Sequence, residues 1–418
     1  MITVVGAGLA GITTAYELAQ RGHQICLLER REGVALETSY ANGGLLTPSM
    51  PDPWNAPGVH RQLAASLFKP DSAMLLRLGA IPSLLGWGWR FLRHSTRDRH
   101  EAATRASFLL TKYSVEHTRV LRARLSLDYD AAAVGSLKVF GSHTAMESSM
   151  AVASRLGSLG LRFEMLDADG AVAAEPALAE SRGRIAGALR YPDDEVGDAR
   201  KFCEALTREF VKAGGRVRMG TSVTGIQVTQ RAVSGVIVGQ RLEPTDRVVV
   251  AAGNSSSELL KGLGLRLPIR PAKGYTATFE AAHIETRPRI PIIDDAFHAA
   301  VTPLGTRLRI AGTAEFAGND ARIRVERIDN LYRLLERILP GIARQLPRAA
   351  AQPWAGLRPM SADGLPFIGP TPVAGLYVNS GHGHLGWTCA AGSARLLADL
   401  LEGRNCEIDP TPYCAFRP

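Results

Sequence analysis

The chain reads as an α/β protein in which a nucleotide-binding domain is interrupted by a second, α+β domain. Three observations carry this reading. A mostly β-branched run, Ile2 to Val5, leads through a glycine-rich turn into a helical stretch and a second apolar strand. A strand-rich block from Arg216 onward ends in Ala251-Ala252-Gly253. Near the C-terminus a strand, another glycine-rich turn and a helix follow one another. Dinucleotide-type elements therefore stand in three separate places, with segments between them long enough for a second domain inserted twice. The expected architecture is a discontinuous Rossmann-like domain with an inserted α+β domain, a mixed antiparallel sheet plus helices.

The first unit is the most specific. Gly6-Ala7-Gly8-Leu9-Ala10-Gly11 fits G-x-G-x-x-G. The first glycine makes the tight turn, the second admits a pyrophosphate to the backbone, and the third lets helix pack on strand. Ile12 to Arg21 has helical composition and stops at Gly22. Gln24 to Glu29 reads as a buried strand, and Glu29 lies 18 residues after Gly11, where a carboxylate can accept bonds from ribose hydroxyls. The motif does not decide FAD against NAD, and Arg30 and Arg31 keep a phosphorylated ribose open.

Further elements follow in order. A helix is expected over Ala102 to Arg124 and a strand over Ser136 to Phe140. Ala171 to Ala179, broken by Glu175-Pro176, reads as a helix end and turn. Strands are expected over Arg216 to Arg218, Val223 to Val228, Val233 to Val238 and Arg247 to Ala252, then over Lys273 to Phe279 and Leu308 to Phe316. The last strand is Leu376 to Ser380. The last helix, Ala390 to Leu401, puts Ser393, Leu396, Leu397 and Leu400 on one face and stops at Gly403.

Composition narrows the class. The 418 residues are 45% apolar and 21% charged, which excludes a disordered or fibrous chain and suits two or three domains. The five cysteines, Cys26, Cys203, Cys389, Cys406 and Cys414, form no C-x-x-C pair, so neither a disulfide scaffold nor a zinc ribbon is expected. No metal site is expected either, because His382 and His384 lack a third ligand at fitting spacing. The net charge is 49 − 40 = +9, with the arginines scattered. That pattern reads as a solvated basic surface without nucleic acid, and it leaves attraction to an anionic membrane open. The N-terminal stretch lacks the basic start of a signal peptide. Ala73 to Leu92 is rich in Leu and Trp, yet Arg77, Pro82, Gly86 and Gly88 break it. It reads as a core segment, with an interfacial one as the alternative.

Several stretches in order carry a resemblance. They are the Gly6 turn, Glu29, Thr38-Ser39-Tyr40-Ala41-Asn42-Gly43-Gly44, Trp354-Ala355-Gly356-Leu357-Arg358-Pro359-Met360 and Ser380-Gly381-His382-Gly383-His384-Leu385-Gly386-Trp387-Thr388. Further stretches are Asp52 to Gly58, Glu175 to Ala179, Pro192 to Asp198 and Lys273-Gly274-Tyr275. Together they resemble the FAD-dependent glycine/D-amino-acid oxidase superfamily, and within it the bacterial dehydrogenase branch of small-subunit type. The resemblance implies an FAD-binding domain over 1–50, 190–265 and 345–418, and a substrate-binding domain over 51–189 and 266–344.

It also implies roles. Gly6, Gly8 and Gly11 would cradle the pyrophosphate, with Glu29, and Arg30 beside it, at the adenosine ribose. Ser39, Asn42 and Gly44, with Gly43 and Leu45 of the same loop, would line the route to the flavin ring. Val223 would touch adenine, and Ala252 and Gly253 would close the cleft. Gly356, Gly381, His382, Gly383, Leu385, Gly386 and Thr388 would border the flavin, placing a helix N-terminus at its pyrimidine edge. His382 and His384 read as loop histidines shaped by cofactor packing. Gly356 to Met360 carries no cysteine for a covalent tether, so FAD is expected to be non-covalent and Cys389 a packing residue.

Arg358 would hold the substrate carboxylate, because a guanidinium grips both oxygens and stays charged. Arg270, Arg307 and Arg309 are its alternatives. Tyr275 would cap the site or bond the carboxylate, its alternative being a core tyrosine, and His298 and Thr302 would line the pocket. The implied reaction is oxidative deamination of a small D-amino acid or cyclic imino acid to a 2-oxo acid and ammonia, by hydride transfer from Cα to flavin N5. Electrons would pass to a quinone or another respiratory acceptor. The implied location is cytoplasmic, with peripheral contact on the inner face of the membrane as an option. The alternatives are a sibling acting on glycine, sarcosine, D-proline or cis-4-hydroxy-D-proline, an NAD-dependent dehydrogenase, and a non-catalytic flavin-binding subunit.

Overall fold

A computed structural model describes residues 1–66 and 72–417. Its first sheet has six strands in the order Phe367–Pro370, Leu376–Ser380, Arg247–Val250, Ile2–Val5, Ile25–Leu28, Arg216–Arg218. All pair in parallel except Phe367–Pro370, which runs antiparallel to its neighbour. Strand alternation sends Val4, Leu27 and Val249 to one face, where the helices Leu9–Gln20, Ala199–Lys212 and Gly386–Glu402 cover them. Val5, Leu28, Val248 and Val250 face the other way, onto a three-stranded sheet that supplies Ile226, Val233 and Val236. A parallel sheet covered on both sides needs apolar residues at consecutive positions, and every residue of Ile2–Val5 and Ile25–Leu28 is buried.

The first helix starts at Leu9, earlier than expected, because Gly8 is its N-cap and the third glycine of the motif lies inside its first turn. The last helix likewise starts at Gly386, and Gly403 closes it with φ +66°. The helix expected over Ala102 to Arg124 runs from Arg97 to Leu125.

The second sheet has nine strands and is mixed but mostly antiparallel, as expected of the inserted α+β unit. Near one edge Ile269–Glu280 pairs with the edge strand Gln352–Ser361 on one side and with Arg307–Phe316 on the other. Gln352–Ser361 therefore belongs to this sheet, although its position in the chain placed it with the nucleotide-binding segments. Its register against ten residues of Ile269–Glu280 explains why. The helix Val325–Ile338 covers the back of the sheet through Leu331, Leu334, Leu335 and Ile338.

The stretch rich in Leu and Trp forms a short strand, Met74–Leu76, paired with Ala314–Phe316, and then the helix Ile81–Arg93, which has two faces. Leu84, Trp87 and Phe91 pack with Phe316 and Met360, and Trp87 Nε1 donates to the Met360 carbonyl at 3.1 Å. Leu85 and Trp89 stay 66% and 61% exposed. Among the described residues no helix is long and apolar enough to cross a membrane.

Asp198 ties the two sheets together. One oxygen caps the helix Ala199–Lys212 by accepting the Arg200 and Lys201 N–H groups at 3.0 and 3.1 Å. The other accepts from Arg307 and Arg309 of the larger sheet at 2.8 and 3.2 Å. Arg309 also donates to the Asn42 carbonyl at 3.0 Å, which fixes the loop after Glu29.

Candidate active site

A cavity of about 2160 Å³ opens beyond the carboxyl ends of the parallel strands, where open α/β sheets place their ligands. Distant stretches converge on one atom there. The Leu357 carbonyl accepts from Thr38 Oγ1 at 2.7 Å and from Asn254 Nδ2 at 2.6 Å. The loop after Glu29, the turn after Arg247–Val250 and the strand Gln352–Ser361 are thereby held against one another.

At one end of the cavity is the glycine turn. Gly6 has φ +102°, and a Cβ there would stand 2.7 Å from the Ala251 carbonyl oxygen. Gly8 lines the cavity beside Ser39, whose hydroxyl accepts the Leu9 N–H at 3.2 Å. Gly8 itself offers no side-chain cap, the first turn has no acidic residue, and Gly8, Leu9 and Ala10 line the cavity, so the positive end of the helix faces it. Gly11 does not line the cavity: a Cβ there would fall on the Gly6 carbonyl oxygen, which makes it the glycine of helix–strand contact. Glu29 does line it, accepting the Ala7 and Arg31 N–H groups at 2.7 and 2.9 Å. Arg30 and Arg31 both turn to Glu37, with nearest contacts of 2.6 and 2.8 Å. Their charge is partly offset by that carboxylate. Val223, Ala252 and Gly253 complete this end.

At the other end the helix Gly386–Glu402 presents its N-terminus, again without a side-chain cap or an acidic residue in the first turn. His382, Gly383, Leu385, Gly386 and Thr388 line the cavity, as do Asn42, Gly43, Leu45 and Gly356. Gly44 and Gly381 do not. They serve the backbone instead, with φ +71° and +81°, and a Cβ at either would press on Leu304 or Phe367. Burial pushes both His382 and His384 down to about 4, so each imidazole is neutral at neutral pH. His382 Nε2 lies 3.1 Å from Ser393 Oγ, and His384 stacks on Trp54 with ring centres 5.3 Å apart. Cys389 points into the helical core away from the cavity, and burial raises its thiol to about 12.

Arg358 lines the cavity between these ends. Its Nη1 donates to the Thr313 carbonyl at 3.2 Å, and its guanidinium carbon lies 5.5 Å from the Trp54 ring centre. Burial lowers it to about 10, still charged at neutral pH. Of the four arginines singled out by sequence, Arg358 and Arg270 line the cavity without a carboxylate partner among the described residues, and they differ in where their guanidinium groups turn. Arg307 and Arg309 are committed to Asp198, and Arg270 bonds the Ser83 and Ile269 carbonyls near solvent.

Tyr275 is a correction. It is fully buried on the opposite face of its strand, and its hydroxyl donates to Glu315 Oε2. Its neighbours Gly274 and Thr276 line the cavity, and a period of two sends Tyr275 the other way. It belongs to a buried cluster with Glu315, Lys273 and Arg77, not to the site. Thr302 is also buried away from the cavity. His298 lines it at a different wall, near the Lys138–Asp295 ion pair of 2.7 Å, with its pKa lowered by burial.

The sequence pattern of the family described as FAD dependent oxidoreductase matches residues 1–400. The chain belongs to that family. This FAD-dependent oxidoreductase is 40% identical over 408 residues to a D-amino acid dehydrogenase of Cereibacter sphaeroides, covering 98% of this chain and 93% of that one. It is 37% identical over 416 residues to a D-amino acid dehydrogenase of Sinorhizobium medicae, covering 100% and 99%. Its fold is shared with a glycine oxidase from Geobacillus kaustophilus at a TM-score of 0.78 and 22% identity, covering 100% and 98%.

The residues of this oxidoreductase fit FAD. The turn at Gly6 and Gly8 lines the cavity with bare backbone, a carboxylate stands where a ribose needs an acceptor, and two helix ends with no acidic residue in their first turns face one cavity. Sequence reasoning gave no role to Trp54, Thr276 or Thr313, which line the cavity around Arg358. A threonine in a strand carries no signal by itself. Trp54 carried one, since it lies in Asp52 to Gly58 among the stretches of the resemblance.

Proposed function

We propose that this oxidoreductase oxidises small D-amino acids to 2-oxo acids and ammonia. The observation that carries the reading is Arg358, a half-buried guanidinium without a carboxylate partner among the described residues, held by the Thr313 carbonyl beside Trp54 in the cavity that holds the dinucleotide-type turn. A cation fixed in this way suits a small ligand with one carboxylate. The names of the two relatives at 40% and 37% identity support the D-amino acid.

FAD, when bound, supplies the acceptor for the hydride that leaves the substrate Cα. Arg358 binds the carboxylate and so orients Cα. The N-terminus of Gly386–Glu402 holds positive potential at the cavity wall, where charge would develop on reduction. Neutral His384 and Trp54 shape the wall beside Arg358 and exclude water. No side-chain base is required when the free amine binds, and neither cavity histidine of this loop is charged at neutral pH to oppose it.

In this reading Gly6, Gly8, Glu29, Ser39, Asn42, Val223, Gly253 and the 381–388 turn hold FAD without a covalent bond, and His298 contacts the substrate from the far wall. The chain divides into an FAD-binding part, 1–50, 190–265 and 345–418, and a substrate-binding part, 51–189 and 266–344, with Gln352–Ser361 straddling the two. Electrons pass to a quinone or another respiratory acceptor.

The test is anaerobic reduction of the bound flavin, followed by absorbance, with D- and L-amino acids, glycine, sarcosine and D-proline. Bleaching by D-amino acids over their L-forms is expected. Bleaching only by glycine, sarcosine or D-proline would move the enzyme to a sibling activity, and no bleaching at all would make it a non-catalytic flavoprotein. The exposed Leu85 and Trp89 beside Arg90 and Arg93 support peripheral contact with an anionic membrane. Trp89→Glu is expected to lower co-sedimentation with anionic vesicles, and equal sedimentation would remove that contact from the reading.

A further inference from the structure

We propose that a β-bulge at Thr313 aims Arg358; the inference rests on the carboxylate role of Arg358 given above. In the pairing of Ile269–Glu280 with Arg307–Phe316, Gly274 stands opposite Ala314 and Tyr275 opposite Gly312. Thr313 is the extra residue, paired with nothing in the ladder. Its φ of +54° is a left-handed conformation that a β-branched residue rarely adopts. Such strain persists where the surroundings impose it, and here it has a visible consequence. The Thr313 carbonyl leaves the ladder and accepts from Arg358 Nη1 at 3.2 Å.

The hydroxyl of Thr313 is buried and has no hydrogen-bond partner, so the carbonyl is the working group. A neutral acceptor suits the task. It fixes one edge of the guanidinium without cancelling its charge, whereas a carboxylate there would compete with the substrate. The opposite strand completes the seat. Gly274 lies under the guanidinium, and a Cβ at that position would fall on it. Bulge carbonyl and glycine shelf together leave the rest of the fork facing the cavity. Thr313 and Gly274 are thus positioning residues, acting through Arg358.

The register makes the test clean. Deleting Thr313 joins Gly312 to Ala314, whose partners Tyr275 and Gly274 are already consecutive, so no side chain changes face. The probe is propionate, which is D-alanine without its amine, titrated into the FAD-loaded enzyme and read as a shift in flavin absorbance. In the parent, propionate is expected to bind, and Arg358→Met to abolish the response. Deletion of Thr313 is expected to weaken propionate about 10- to 100-fold, the worth of one bond to a charged group, while FAD stays bound. KM for D-alanine should rise more than kcat falls, and glycine at position 313, which adopts positive φ without strain, should restore the affinity.

An FAD-loaded deletion variant that binds propionate like the parent overturns the proposal. If the deletion variant does not load FAD, Gly274→Ala decides: at least about tenfold weaker propionate supports the seat, and unchanged affinity overturns it. If the parent and Arg358→Met respond alike, the carboxylate reading itself fails and takes the inference with it.

Discussion

Arg358→Met is expected to lower kcat/KM for D-amino acids about 30- to 4,000-fold, while FAD remains bound. The range follows from removing one partner of a desolvated, hydrogen-bonded charge pair, about 2–5 kcal/mol. Methionine keeps an unbranched stem against Trp54 and Gly274, so the strand Gln352–Ser361 keeps its packing and the loss reports charge. Most of the loss should sit in KM and in the rate of anaerobic flavin reduction, because without the guanidinium the substrate has nothing to orient Cα. Steady-state and single-turnover kinetics check this. Ordinary values of both would show that the carboxylate binds elsewhere.

Gly11→Ala is expected to abolish stoichiometric FAD loading, although Gly11 touches no part of the cavity. The added Cβ would fall on the Gly6 carbonyl oxygen, which cannot retreat because Gly6 itself lies against the Ala251 carbonyl, 2.7 Å from where a Cβ would stand. The helix Leu9–Gln20 must move out, and its N-terminus leaves the place where the pyrophosphate would lie. Overpacking of this kind costs about 1–3 kcal/mol and sometimes more. Gly86→Ala is the matched control, since an added Cβ there meets nothing within 4 Å. The ratio of flavin to protein absorbance after purification reads the result. A fully yellow Gly11→Ala protein would contradict the packing argument.

What was legible in the sequence and what was not divides along a physical line. The Gly6 turn, Glu29 and the parallel strands could be read because their constraints are local. Backbone approach demands glycine, and burial on both faces demands an unbroken apolar run, as in Ile2–Val5. The facing of Tyr275 was legible in the residues around it. Tyr275, Ala277 and Phe279 alternate with Thr276, Thr278 and Glu280, and that period of two puts Tyr275 on the apolar side that packs in the core, against the role the resemblance implied. The membership of Gln352–Ser361 was hidden: its partner lies some eighty residues earlier in the chain, and position alone pointed to the wrong sheet. The bulge at Thr313 left no trace, because glycine is the residue that announces a left-handed position and threonine stands there instead.

The cavity also shows why a shared motif says less than its surroundings. Gly6, Gly8 and Gly11 would serve any dinucleotide, whereas the second helix end at Gly386, open to the same cavity, narrows the choice. Arg358 stands out in the same way, by lacking the carboxylate that Arg307 and Arg309 each have.

A crystal structure of the FAD-loaded enzyme with propionate bound tests the central claim most directly. The account predicts the carboxylate on the guanidinium of Arg358, its carbon chain directed at the reactive edge of the flavin, and the flavin's pyrimidine side at the N-terminus of Gly386–Glu402. A flavin whose reactive edge lies far from Arg358, or a carboxylate held by another residue, would contradict it.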